Sequence, residues 1–209
     1  MKASAEAAHS SSQQPIRDDM GASILGPRNV PVERENPDLL ASPYTDAGTI
    51  PNLKFSFAAA RNRLAPGGWA REITARELPV ATKLAGVNMR LKPGGIRELH
   101  WHPNSDEWQY YIAGRGRMTV FASSGKARTF DYQAGDVGYV PFAMGHYVQN
   151  TGDETLRFLE MFRSDRFADI SLDQWLALTP PDLVRDHLPI DKQTIDAFSK
   201  RKRIVVTQL

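Results

Sequence analysis

The chain has 209 residues, enough for one domain with extensions and a sizeable core, and its 26 basic and 24 acidic side chains nearly balance. That balance gives no argument for nucleic acid or an anionic membrane surface as a partner. The absence of cysteine excludes disulfides, thiolate metal sites and cysteine nucleophiles together.

Residues 1–20, which open "MKASAEAAHSSSQQPIRDD", carry too few large apolar groups to offset ordering entropy and are expected to be disordered. They lack the apolar run of a signal peptide, and no stretch approaches the ~20 apolar residues of a membrane span, so a soluble cytoplasmic protein is expected. Residues 21–68 are rich in Pro, Asn and Gly. A structureless stretch of that length is out of place in a compact protein, so the segment reads as an ordered arm, packed on the domain or on a neighbouring subunit. Within it "LKFSFA" predicts a short strand, because Leu53, Phe55 and Phe57 alternate.

From residue 69 to 163 short β-prone segments recur: "GVNMRL", "IRELHWH", "EWQYYIAG", "GRMTVFA", "ARTFDYQ", "VGYVP", "HYVQN" and "LRFLEMF". Turn signals separate them, among them "KPGG", "HPNSD", "SSGK", "QAGD" and "NTGDE". This spacing predicts an all-β antiparallel barrel or sandwich. Residues 164–209 turn helical: "SLDQWLAL" stops at Pro180-Pro181, "PPDLVRDHL" starts on proline, and "DKQTIDAFSK" has Asp191 as its N-cap. The tail "RKRIVVTQL" is basic and then β-prone. These helices are too short for a second core and are expected to cover the barrel or a subunit contact.

The chemistry concentrates in "RELHWHPNSDEW". Alternation on a strand points His100 and His102 to one face, and the "HPNSD" turn returns Glu107 beside them. His146, in "VPFAMGHYVQN", offers a fourth ligand. Three imidazoles and a carboxylate suit a borderline divalent ion such as Mn, Fe, Zn, Ni or Cu. Two alternating histidines alone arise by chance; the glutamate and the third histidine strengthen the reading. Trp101, Trp108, Tyr110, Tyr139, Phe142 and Met144 read as barrel packing, and His9 and His187 as incidental.

The spacing of Gly94, His100, His102, Glu107 and Gly114 resembles the first cupin motif, and Gly135, Pro141, His146 and Asn150 resemble the second. Ala143 departs from the pattern, standing where glycine is usual. Along its length the barrel segment resembles the C-terminal cupin domain of two-domain bacterial oxalate decarboxylases. "QPIRDDMGASILGPRN" and "TIPNLKFSFAAARNRLAPGGWAREIT" resemble the segment that precedes their N-terminal cupin. The chain therefore looks like a single-cupin version with the family's leading arm.

The resemblance implies a cupin double-stranded β-helix, a jelly-roll barrel, with an extended N-terminal arm and short C-terminal helices. It implies manganese held by His100, His102, Glu107 and His146, with oxalate and dioxygen as small-molecule partners. Arg97 matches an arginine that contacts substrate, which suits a guanidinium polarising a carboxylate oxygen. Glu160 matches a glutamate near the metal; inward on a strand it requires a partner, with Arg97 the expected one, and it suits proton transfer. The family's lid glutamate has no counterpart in "RSDRFADISLDQW"; Asp169 falls close to the lid position, as a second candidate donor or as a capping residue. Oxalate decarboxylase is the expected activity, oxalate oxidase the alternative, and a non-catalytic metal-binding cupin the reading from another class. A homo-oligomer, trimer or hexamer, is expected by the same resemblance.

Overall fold

In strands with one buried face, side chains alternate between core and exterior, and that period organises the computed structural model, which describes Pro51 and residues 53–208. The expected disordered tail, most of the expected arm, and His9 lie outside the described residues. The strands run in chain order as β1 (Asn62–Ala65), β2 (Gly68–Ile73), β3 (Ala85–Leu91), β4 (Gly95–Trp101), β5 (Glu107–Ala113) and β6 (Arg115–Ala122). β7 (Lys126–Gln133), β8 (Val137–Val140), β9 (Gly145–Asn150), β10 (Leu156–Phe162), β11 (Ile170–Ser171) and β12 (Val205–Thr207) follow. Three short helices, α1 (Leu172–Leu178), α2 (Pro181–His187) and α3 (Lys192–Asp196), lie between β11 and β12.

All pairings are antiparallel, and they build two facing sheets. The first has the order β1-β2-β3-β10-β5-β8, the second β11-β4-β9-β6-β7 with β12 also on β4. This is the jelly-roll architecture expected of the barrel segment. β12 and β11 lie along the same edge of β4, pairing with Gly95–Arg97 and with His100–Trp101 respectively. The sheets thus take in β1 from the segment expected as arm, and β11 and β12 from the expected C-terminal extension.

Between the sheets, Met89 and Leu91 of β3, Phe158 and Leu156 of β10, Tyr111 of β5, Met118 of β6 and Val148 of β9 form a continuous apolar core. The β6–β7 turn needs left-handed backbone at Ser124 (φ 64°) and Gly125 (φ 67°), the geometry of a tight hairpin whose twist matches its strands. Asp191 caps α3 as expected, its carboxylate accepting from the Thr194 amide at 2.8 Å.

Two expectations fail. "LKFSFA" forms no strand: Leu53 is exposed and Phe57 opens a short 3-10 helix, capped by Ser56. The alternation there reflects Phe55 and Phe57 lining a cavity with Leu78, Leu84 and Met161, not strand pairing. Nor are Trp108, Tyr110, Tyr139 and Phe142 core residues, for all four are exposed. Glu107, Gln109 and Tyr111 take the inward positions of β5, so strand parity sends Trp108, Tyr110 and Ile112 out, beside Tyr139 and Val137 of β8. Trp101 packs edge-on against Trp175 of α1, and Met144 packs against the core.

Candidate metal centre

Four side chains converge at one end of the barrel. β4 carries His100, the turn after it His102, β5 opens on Glu107, and β9 places His146 directly opposite His100. One ligand atom from each lies within 4.8 Å of the others, and all four residues are buried.

Each imidazole is oriented from behind. Nδ1 of His100 donates to the Glu98 carbonyl (2.7 Å), Nδ1 of His102 to the Ala168 carbonyl (2.8 Å), and Nδ1 of His146 to the Met144 carbonyl (3.0 Å). A carbonyl only accepts, so Nδ1 carries the proton and a neutral ring leaves Nε2 as a bare lone pair. The Nε2 atoms of His100 and His102 are 3.2 Å apart, and Glu107 Oε2 lies 3.0 Å from His102 Nε2 and 2.8 Å from His146 Nε2. Electron-pair donors at these separations repel unless a cation sits among them, so the residue set fits a divalent metal ion. Burial, then the neighbouring Arg97 charge, holds the His100 pKa well below the ordinary imidazole value, which keeps the ring neutral.

Glu107 is held in turn. Gln109 Nε2 donates to its other oxygen at 2.7 Å, and the Tyr111 hydroxyl donates to Gln109 Oε1 at 2.8 Å. Burial raises the Glu107 pKa, but where a proton rather than an ion lies between it and His146 and His102, those rings outweigh burial and hold the carboxyl below its usual range. Gln109 was not singled out in the sequence, although parity from Glu107 suffices to find it.

Arg97 reaches the same interior through a β-bulge. Arg97 pairs with Val148 and His100 with His146, so three steps along β4 answer two along β9. The extra residue reverses the parity, and Arg97 and His100 both point inward despite their odd spacing. The guanidinium is fully buried (0% exposed) and bonds to the Asp169 carboxylate, to Glu98 Oε1 (3.3 Å) and to the Ile204 carbonyl (3.3 Å).

Glu160 points into the interior from β10, directly opposite Gln109 of β5. The expected Arg97–Glu160 hydrogen bond is not made: neither oxygen of Glu160 has a hydrogen-bond partner among the described residues, because Arg97 is engaged by Asp169 and Glu98. Burial, then the Glu107 charge, pushes the Glu160 pKa well above the ordinary carboxyl value, with Arg97 opposing only in part. Its surroundings therefore favour the protonated form.

Asp169 is neither a surface residue nor a helix cap. It lies in the 164–171 segment, a strap across the metal end of the barrel. Ala168 in this strap accepts from His102, Phe167 packs on the His102 and Phe162 rings, and Ser171 pairs with His100 in the sheet. Burial raises the Asp169 pKa, but Arg97 and Lys202 outweigh it, so the carboxylate stays ionised. Lys202, absent from the sequence reading as a site residue, contacts Asp169 Oδ2 (3.0 Å), Glu98 Oε1 (2.9 Å) and Ser171 Oγ (2.5 Å). His187 stands apart, exposed near the end of α2.

Comparison with known proteins agrees with this geometry. The profile of the cupin family matches residues 55–196. An oxalate decarboxylase of Bacillus subtilis is 33% identical over an alignment of 371 positions, covering 92% of this chain and 96% of that protein. A probable oxalate decarboxylase of Arthroderma benhamiae is 44% identical over 142 residues, 68% of this chain and 35% of that one. A solved structure of the Bacillus subtilis enzyme, a protein with Mn(II) centres, superposes with a TM-score of 0.70 at 53% identity, covering 71% of this chain and 39% of that one. The chain thus spans about two fifths of the solved structure it matches and about a third of the fungal relative.

Proposed function

The chain belongs to the cupin family, and from that premise we propose that it is a manganese-dependent, dioxygen-requiring oxalate decarboxylase that converts oxalate to formate and carbon dioxide. The observation that carries this reading is Glu160, a buried carboxyl with no hydrogen-bond partner among the described residues, in the same barrel interior as Arg97 and the four-ligand cluster. Manganese held by His100, His102, Glu107 and His146 would supply a Lewis-acidic, one-electron-competent centre for a carboxylate.

The protein's own residues then divide the work. Arg97 presents a guanidinium whose fork matches a carboxylate, and so orients the substrate and draws charge onto the oxygens it binds. The strap and Phe167 screen that end of the barrel from water. Cleavage of the carbon–carbon bond releases carbon dioxide, and the remaining carbon must take a proton to become formate. Burial raises the Glu160 pKa and so favours its carrying one, whereas Asp169 has a lowered pKa and is paired with Arg97 and Lys202, so Glu160 is the proton donor in this reading. In sum, oxalate dianion and one proton give formate and carbon dioxide, with no net oxidation.

Dioxygen capture of the same fragment would instead give a second carbon dioxide and hydrogen peroxide, the oxidase outcome. Manganese-loaded protein with oxalate in air at mildly acid pH separates the two when formate and peroxide are quantified together. Formate in large excess is expected; peroxide in excess makes the protein an oxidase, and neither product leaves a metal-binding cupin without this activity. The exposed strip of Trp108, Tyr110, Ile112, Val137 and Tyr139 supports the further proposal that copies associate as a trimer or hexamer, since a second copy would bury it.

A further inference from the structure

A charge cluster adjoins the centre, and most of it was not foreseen. Two cations, Arg97 and Lys202, share two carboxylates, Asp169 and Glu98. Ser171 Oγ closes the group by donating to Glu98 Oε1 at 2.8 Å. The elements that meet here are far apart in sequence: Arg97 and Glu98 from β4, Asp169 and Ser171 from the strap, and Lys202 from the segment leading into β12. Lys202 is the most solvent-accessible charge of the four, its side chain 22% exposed against 0% for Arg97, 5% for Asp169 and 6% for Glu98.

Asp169 holds Nη2 of Arg97 while Nε has no hydrogen-bond partner among the described residues, so a carboxylate that pairs with Nε and Nη2 together competes with Asp169 for Nη2. For Arg97 to bind substrate, Asp169 must give up that contact. A buried carboxylate stripped of its cation is strongly disfavoured, so with Arg97 as its sole partner Asp169 would resist the exchange. Lys202 changes this, because its ammonium already touches the same oxygen at 3.0 Å. We propose that Lys202 is a positioning residue that retains Asp169 while Arg97 transfers its pairing to a carboxylate of the substrate. The C-terminal segment thereby sets substrate affinity without touching substrate. The inference rests on the oxalate reading above.

The test uses the manganese-loaded full chain and reads both kinetics and binding. KM and kcat come from formate release, and oxalate affinity from calorimetry under nitrogen, where turnover is suppressed. Lys202→Met is expected to raise KM and Kd at least about tenfold, with kcat within about threefold and manganese stoichiometry unchanged. Lys202→Arg should restore affinity. In the Asp169→Asn background, the Lys202→Met substitution should change Kd less than about twofold, because the competing carboxylate is gone. Equal losses with and without Asp169 would overturn the exchange and leave Lys202 as a general attractive charge; loss of manganese from Lys202→Met would make it a fold residue. Wild-type protein that binds oxalate without turning it over would sink the decarboxylase reading alone, since the Kd series still decides the exchange. Protein that binds no oxalate sinks both.

Discussion

Met89, Leu91, Met118, Leu156 and Phe158 fill one part of the barrel interior with apolar side chains, while Arg97, His100, Glu107, Gln109, His146 and Glu160 are buried as deeply in the other. The boundary falls within single strands: on β10, Phe158 faces one region and Glu160, two positions on, the other. In the apolar region burial itself stabilises, by about 1.5–3 kcal/mol for each large side chain. In the polar region burial is unfavourable, and each group persists through a specific partner: carbonyls behind the histidines, Gln109 behind Glu107, carboxylates around Arg97. Glu160 has no such partner among the described residues, and burial pushes its pKa up, which favours the neutral form. The fold is therefore set by one region and the chemistry by the other.

Substitutions can break that division. His146→Ala removes one of the four ligands and should lower manganese affinity by more than about 100-fold, with formate production lost, while the thermal midpoint of the metal-free protein changes little. Elemental analysis after dialysis reads the first effect; a metal-free variant that no longer folds would show that the polar region also holds the barrel together. Glu160→Gln should lower formate production by about 10²–10⁴-fold with manganese still bound, as expected when a proton donor is removed. Formate production close to wild type would return the donor's role to another group.

Phe158→Ala lies across the boundary and should cost about 3–5 kcal/mol of stability through lost burial and the cavity left behind. At temperatures where the variant stays folded, its metal content should match wild type, as denaturation curves and elemental analysis together would show.

Titration sharpens the comparison further. Because the folded-state pKa of Glu160 is raised, the folded protein keeps a proton that the unfolded chain releases as pH rises past the ordinary glutamate value. Stability from this group is present below that value and falls until the raised folded pKa is reached. Metal-free Glu160→Gln should therefore gain stability over wild type as pH rises above the ordinary glutamate pKa of about 4.3. A difference independent of pH would place the Glu160 charge in water. The smallest effect is expected at Ala143, whose left-handed backbone (φ 61°) sits in the turn that bonds to the His102 carbonyl. Ala143→Gly should stabilise by about 0.5–1 kcal/mol, the relief of left-handed strain less the added freedom of the unfolded chain.

Much of this was legible in the sequence. The strands of the barrel follow from alternation and turns; His100, His102 and Glu107 follow from alternation and the turn between them, and His146 joins them through the resemblance to the second cupin motif. The aromatic residues of β5 were misread because the hydrophobic pattern is inverted there: the metal end needs Glu107 and Gln109 inside, which leaves Trp108 and Tyr110 outside. The orientation of Arg97 depends on a bulge, which no period-2 reading predicts. Lys202 stands about one hundred residues from Arg97, and nothing local in "RKRIVV" marks it as part of a buried cluster.

The pairing of β12 with β4 also orders events during synthesis. All four ligands have been made once residue 146 is added, but the lysine that contacts Asp169 is 56 residues later. At about 5–20 residues per second, that interval is roughly 3–11 s. A nascent chain thus possesses all four clustered side chains before it possesses the segment that accepts from Arg97 and pairs with β4.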